Sequence, residues 1–263
     1  MIVYGHRGAK GEAPENTLAG FRHAYRQGIR HFELDLALSH DGTPVIIHDL
    51  TLERTTGEAG KVSDKTAAEL AALDARHNTA AWPEPTGVPT LADLLLTCPD
   101  VEHLQLEVKT DNRQRLNILC NRVTEWIQRN DLKDRAAITS SDAWFLQETK
   151  RRDRQIKTGF VADRRFPGPV KQATRMACDY LCLNWRICST SLVEAAHQNN
   201  LHVSTWTVNR IHDMVEMENR GVDSIITDYP TSTRIFFDNR WRSGAKGIPG
   251  RSNSRSEPAT ICR

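Results

Sequence analysis

Apolar residues along this chain follow two alternating rhythms. Short β-branched and aliphatic runs read as strands at 2–5, 32–38, 44–48, 104–108, 136–139, 156–161, 180–183, 202–208 and 224–227. Between them, helical spacing recurs near 17–27, 91–98, 114–130, 143–151, 170–176, 191–198, 211–219 and 231–239. In the first of these, Leu18, Phe21 and Tyr25 stand at i, i+3 and i+7, on one helical face. Strands that alternate with helices predict parallel strands joined by helical crossovers, an α/β fold.

Nine strand runs are one more than an eight-stranded (β/α)8 barrel uses. Asp41-Gly42 separates the second run from the third and is a strong hairpin signal, so these two form one hairpin with its second arm as an accessory. Eight strands remain, and a TIM-type barrel is the expected architecture. Residues 51–89 interrupt the alternation with a polar stretch, a short helical pattern and a Trp/Pro-rich loop. Strand-to-helix connections usually take about two to six residues. This segment is therefore expected to be an insertion after the His48-Asp49 strand, lying over the barrel mouth.

Charge divides the chain unevenly. Residues 240–263 hold six of the 35 basic residues and one of the 33 acidic ones, leaving 29 against 32 in residues 1–239. The basic balance comes from a Gly/Ser/Arg-rich tail, expected to be disordered, and nucleic acid is not an expected partner. No apolar run reaches the roughly 18 to 20 residues of a membrane-spanning helix, and the N-terminus carries no leader pattern, so a cytoplasmic location is expected. None of the six cysteines forms a Cys-x-x-Cys pair, and buried free thiols are expected.

Candidate chemistry gathers at strand ends. Glu33 and Asp35, at i and i+2 of one strand, point to the same face; they read either as solvated acids of an exposed edge strand or as a pair in the barrel that repels unless a cation joins it. Glu107 and Lys109 repeat the spacing at the end of another strand. Alone they read equally well as an ion pair; beside Glu33 and Asp35, Glu107 completes an oxygen set suited to Mg²⁺ or Ca²⁺. His6-Arg7 and His48-Asp49 each put a histidine at a strand end, and the hairpin returns His48 towards Glu33 and Asp35. Two histidines, three acids and two cations suit phosphate chemistry with one histidine as base and the other as acid. Trp206 is either a core residue or a wall for a substrate's apolar edge. Residues 221–230 are read as structural, and the remaining eight histidines as unconnected with the acids.

These residues carry a resemblance. His6-Arg7-Gly8, Pro14-Glu15-Asn16-Thr17, Glu33-Leu34-Asp35, Asp41-Gly42 leading to His48-Asp49, and Arg54-Thr55-Thr56 stand in order along the chain. Pro89-Thr90-Leu91, Glu107-Val108-Lys109, Trp206-Thr207-Val208-Asn209 and Thr227-Asp228-Tyr229-Pro230 continue the series. The chain resembles the glycerophosphodiester phosphodiesterase family, of the bacterial cytosolic kind, over about residues 2–237. The resemblance implies a TIM-type barrel that hydrolyses glycerophosphodiesters, small-molecule substrates, to glycerol 3-phosphate and an alcohol with a divalent cation. It implies Glu33, Asp35 and Glu107 as metal ligands, His6 and His48 as the acid/base pair, Arg7 and Lys109 as phosphate contacts, and Trp206 as pocket lining. The chain departs from the family at Ser140-Ser141-Asp142, usually Ser-Phe, and at Thr110-Asp111-Asn112, where a proline often follows Lys109. Lysophospholipid hydrolysis and a non-catalytic barrel are the alternative readings.

Overall fold

The computed structural model describes residues 1–79 and 81–244. Its strands are β1 (Ile2–His6), β2 (His31–Leu38), β3 (Pro44–Ile46), β4 (His103–Val108), β5 (Ala136–Ser140), β6 (Lys157–Ala162), β7 (Tyr180–Asn184), β8 (His202–Trp206) and β9 (Ser224–Thr227). Its helices are α1 (Leu18–Arg26), α2 (Glu53–Thr56), α3 (Ala67–Ala71), α4 (Leu91–Thr97), α5 (Arg113–Arg129), α6 (Ala143–Arg152), α7 (Pro169–Arg175), α8 (Thr190–Gln198), α9 (Ile211–Asn219) and α10 (Pro230–Gly244). Parallel pairing runs β1-β2-β4-β5-β6-β7-β8-β9 and returns to β1, closing the eight-stranded barrel that the sequence pattern predicts. The accessory arm is also where it is expected. β3 lies antiparallel on β2, with Leu36 opposite Ile46 and Leu38 opposite Pro44, and occupies the edge that β1 leaves after Glu33.

Period-two alternation decides which side chains meet the site. On β2, Phe32, Leu34 and Leu36 turn outward and pack with Phe21 of α1, Leu94 of α4 and Leu104 of β4 in one buried cluster. Phe21 and Phe32 meet edge to face, with ring centroids 5.4 Å apart. A second cluster does the same for β6 to β9 and the helices over them. Glu33 and Asp35 therefore fall on the lumen side. The inserted segment has a small core of its own, in which Leu52, Val62, Leu70 and Val88 pack with Ala37 and Val45 of the hairpin. Both departures from the family pattern are helix caps: Asn112 accepts from the Arg115 amide at the start of α5, and Asp142 from the Phe145 amide at the start of α6.

Two expectations change. α10 runs to Gly244, beyond the expected boundary at 239, and Arg240 pairs with Glu218 at 2.8 Å. The rest of the tail, 245–263, expected to be disordered, lies outside the described residues. Nor are all the other histidines apart from acids: His212 groups with Asp213 and Glu216, His23 lies 3.2 Å from Glu12 and His197 2.9 Å from Asp223. At the N-terminal end of the barrel His103 lies between two hydroxyls, Tyr4 Oη 3.0 Å from its Nδ1 and Tyr180 Oη 3.2 Å from its Nε2. The His31 ring packs against Tyr4 and the His202 ring against Tyr180. No helix among the described residues is long and apolar enough to cross a membrane. Cys98, Cys120, Cys182 and Cys188 are buried free thiols, and Cys178 is a half-buried one.

This aromatic and imidazole plug makes the barrel sensitive to acid. Burial, with His31 and His202 close by, pushes His103 down to about 3. The folded state thus binds its proton less readily than the unfolded chain, so stability is full above about pH 6.5 and falls as pH drops towards 3. By pH 5 the loss at this residue should reach about 2 kcal/mol. Denaturant unfolding at pH 7.5 and at pH 5 should show the native chain losing about 2 kcal/mol more than His103→Gln over that interval. Parallel losses in the two proteins would contradict it.

Candidate active site

The C-terminal ends of β1, β2 and β4 bring the sequence's candidate acids together. His6 is in register with Glu33, Glu33 with Gln105, and Asp35 with Glu107. One oxygen each from Glu33, Asp35 and Glu107 lies within 4.8 Å of the others. Glu33 and Asp35 are almost wholly buried, and Glu33 Oε1 has no hydrogen-bond partner. Burial, and then the charges of Asp35 and Glu107, push the Glu33 carboxyl well above its ordinary range. Burial raises Glu107 also. Asp35 moves the other way: burial opposes its charge, but Lys109 and Arg7 hold it ionised.

The cations are arranged around these acids. Lys109 Nζ stands 2.8 Å from Asp35 Oδ1 and donates to Glu107 Oε1 at 2.5 Å. Arg7 Nε stands 3.0 Å from Asp35 Oδ2, and its NH1 donates to Glu15 Oε1 at 2.7 Å. The backbone turns sharply to achieve this. Arg7 (φ 52°) and Asn16 (φ 54°) both adopt the left-handed region, uncommon for residues with a Cβ. Two contacts hold them there: the Asn16 amide donates to the Arg7 carbonyl, and Asn16 Nδ2 donates to Asp35 Oδ2 at 2.9 Å. Gly8 follows at φ 87°, where an added Cβ would meet the Phe21 backbone at 3.1 Å.

Each histidine is paired with a carboxylate. His6 Nδ1 is 2.5 Å from Asp228 Oδ1, and its Nε2 lies 3.8 Å from Glu33 Oε2. His48 Nδ1 is 2.5 Å from Asp49 Oδ1. A carboxylate on Nδ1 fixes the proton there and leaves Nε2 to give or take another. Burial lowers both imidazoles; Asp228 counters it at His6 and Asp35 at His48. Asp228 is itself fixed by Asn209, whose Nδ2 donates to it at 2.7 Å. The stretch 221–230, read from sequence as structural, thus supplies His6's partner.

Glu15, Asp49 and Arg54 form a further tie absent from the sequence-derived set. Arg54, from the insertion, donates through Nε to Asp49 Oδ2 at 2.5 Å and through both terminal nitrogens to Glu15 at 2.9 Å. Asn78 Nδ2 adds a bond to Glu15 at 3.0 Å. Burial works against the Glu15 charge, but Arg54 and Arg7 outweigh it and hold the carboxyl down at about 2. One arginine of the insertion therefore braces both the Arg7 rim and the His48 dyad.

The site opens into a cavity of about 280 Å³ with two unlike walls. His6, Arg7, Glu33, His48, Glu107 and Lys109 form the charged wall; Val161, Cys182, Trp206 and Ile226 form the other. Trp206 is half-buried, and its Nε1 donates to the Cys182 carbonyl at 3.2 Å.

Sequence comparison is decisive at this point, because the glycerophosphoryl diester phosphodiesterase family model matches residues 6–232. The chain belongs to this family. A glycerophosphodiester phosphodiesterase from Caldanaerobacter subterraneus subsp. tengcongensis is 32% identical over 230 residues, 87% of this chain and 94% of the relative. The structure is similar to an Oleispira antarctica phosphodiesterase in complex with the product sn-glycerol-3-phosphate, with TM-score 0.81, 26% identity, and coverage of 90% of this chain and 97% of that one. A lysophospholipase D from Rattus norvegicus is 26% identical over 273 residues, 89% of this chain and 85% of the relative. Within the family fold, the carboxylate cluster and both histidine dyads lie on the C-terminal face of the barrel, where loops after the strands build active sites.

Removing Arg54 should strand Glu15 as a buried charge with one fewer partner. Arg54→Ala is expected to cost about 2 kcal/mol in denaturant unfolding, and Glu15→Gln added to it should recover part of the loss. Strictly additive losses would show that the two side chains do not act as a pair.

Proposed function

We propose that this chain hydrolyses glycerophosphodiesters to glycerol 3-phosphate and an alcohol, with a divalent cation and two histidines. The observation that carries the reading is the trio of buried Glu33 and Asp35 with half-buried Glu107, which ends in a partnerless Glu33 oxygen beside two histidine–carboxylate dyads. A hard cation suits this all-oxygen donor set, and Mg²⁺ or Ca²⁺ is the class expected. When bound, it would offset the charge of the phosphodiester oxygens and of the transition state.

The chain's own groups supply the rest. Arg7 and Lys109 add positive charge beside the phosphate, and the dry wall of Val161, Trp206 and Ile226 accepts the carbon skeleton. His48 Nε2 takes a proton from the attacking hydroxyl as its oxygen bonds to phosphorus. His6 Nε2 gives a proton to the alcohol oxygen as its bond to phosphorus breaks. Water as nucleophile gives glycerol 3-phosphate directly. The glycerol 2-hydroxyl would give a cyclic phosphate first, which a second attack by water opens. Asp49 and Asp228 keep the two imidazoles aimed.

The rat relative supports a second reading, release of the head group from lysophospholipids. Purified protein should release glycerol 3-phosphate from a glycerophosphodiester, lose that activity in EDTA and regain it with Mg²⁺ or Ca²⁺. His6→Ala and His48→Ala should each lower kcat on the order of 10² or more. Lysophosphatidic acid as the main product from lysophosphatidylcholine would favour the second reading, and near-normal turnover by His6→Ala would rule out the two-histidine scheme.

A further inference from the structure

The lip of the cavity carries charge that the chemistry above does not use. Lys10 lines the mouth on the β1 loop, is exposed, and has no ion-pair partner among the described residues. Farther out on the same C-terminal face, beyond the residues that line the cavity, the loops after β6, β7 and β8 carry Arg164, Arg165, Arg186 and Arg210, all exposed. Arg165 bridges two of these loops by donating to the Ile187 carbonyl at 3.2 Å, and Arg186 lies over the Trp185 ring at 5.0 Å. Asp163 is the one exposed acid on these four loops; it lies 3.8 Å from Arg164 and offsets part of that charge, leaving the four loops net positive. Asp228, just after β9, binds His6 and Asn209 and also feels the Lys10 charge, and Glu12 binds His23 and the Thr231 amide. The insertion, by contrast, mixes Lys61 and Lys65 with Glu58 and Asp64. This concentration of positive charge stands out because residues 1–239 carry more acidic than basic side chains.

Inside the mouth no group waits for a cationic alcohol. The lining carboxylates, Glu33 and Glu107, belong to the cluster with Asp35. Trp206 is the one aromatic side chain of the lining, a single face where a quaternary ammonium ion is best held by several. A cleft rimmed by one sign of charge raises the local concentration of oppositely charged substrate and repels the like-charged end of another.

We infer that the rim selects the leaving alcohol by charge, favouring glycerophosphodiesters of net negative charge with a polyol or acidic alcohol over those whose alcohol carries an ammonium group. The inference rests on the hydrolytic reading above and adds the substrate class to it. Discrimination acts on capture, so it lies in kcat/KM through KM, and it weakens as salt screens the rim.

The test compares glycerophosphoglycerol with glycerophosphocholine at low salt and at about 0.5 M salt, where the screening length is only a few ångströms. The native chain should favour the glycerol diester on the order of tenfold at low salt and lose most of that preference at high salt. Lys10→Glu, and separately Arg164→Glu with Arg165→Glu, should shrink or invert the ratio. Neither member of the second pair lines the cavity, so its effect reports on the field rather than on the chemistry. Equal turnover of the two diesters, or a preference unmoved by salt and by both charge reversals, would overturn the inference alone. Turnover of neither diester would overturn the hydrolytic reading and this inference with it.

Discussion

Three carboxylates crowded within 4.8 Å of one another in a barrel lumen are the constraint around which this molecule is built. Burial penalises each charge, and each charge raises the cost of the others. Among the chain's own groups the answer is to surround them with cations. Lys109 joins Asp35 to Glu107, and Arg7 joins Asp35 to Glu15. That second pairing requires the left-handed turn at Arg7, which in turn leans on Asn16 and Gly8. The compensation is incomplete, since Glu33 remains well above its ordinary range with an oxygen unpartnered. A site left short of positive charge in this way could hold a metal cation.

The barrel makes that arrangement affordable. Strand alternation sends Phe32, Leu34 and Leu36 into the outer cluster, so the same strand supplies stability on one side and carboxylates on the other. Layers along the lumen have different duties. The Tyr4, His103 and Tyr180 layer seals the N-terminal end with hydroxyl–imidazole contacts. Gln105, which donates to Ser204 at 3.2 Å, bridges the middle. The charged layer above opens to the mouth. The insertion is tied into the site, because its Arg54 holds Asp49 and Glu15 at once.

Much of this was legible in the residues themselves, and the limit of legibility has a physical cause. Strands and helices follow local periodicity, so the run at 104–108 became β4 (His103–Val108) and the Asp41-Gly42 turn gave the β2–β3 hairpin. Glu33, Asp35 and Glu107 were visible because the i, i+2 spacing fixes a shared face without any knowledge of neighbours. Asp228 was not, since it lies 222 residues from His6 and meets it only when β9 closes the barrel onto β1. Glu15 and Arg54 were noticed as pieces of motifs, yet their bond spans 39 residues and depends on how the insertion folds back. The histidine plug escaped for the same reason: His103 and His202 stand at strand starts, and only barrel register brings their layer together. In each case the hidden element was a side-chain partner set by closure.

The central claim is that the three carboxylates form a cation site, and binding measured on the protein without substrate tests it most directly. Thermal unfolding and calorimetric titration with Mg²⁺ and with Ca²⁺ should show saturable, one-site stabilisation of the native chain, with the gain rising as the logarithm of free cation above Kd. The combined variant Glu33→Gln, Asp35→Asn and Glu107→Gln should fold and show no such stabilisation. Equal stabilisation of the variant by either ion, or no saturable binding of either ion to the native chain, would contradict the account.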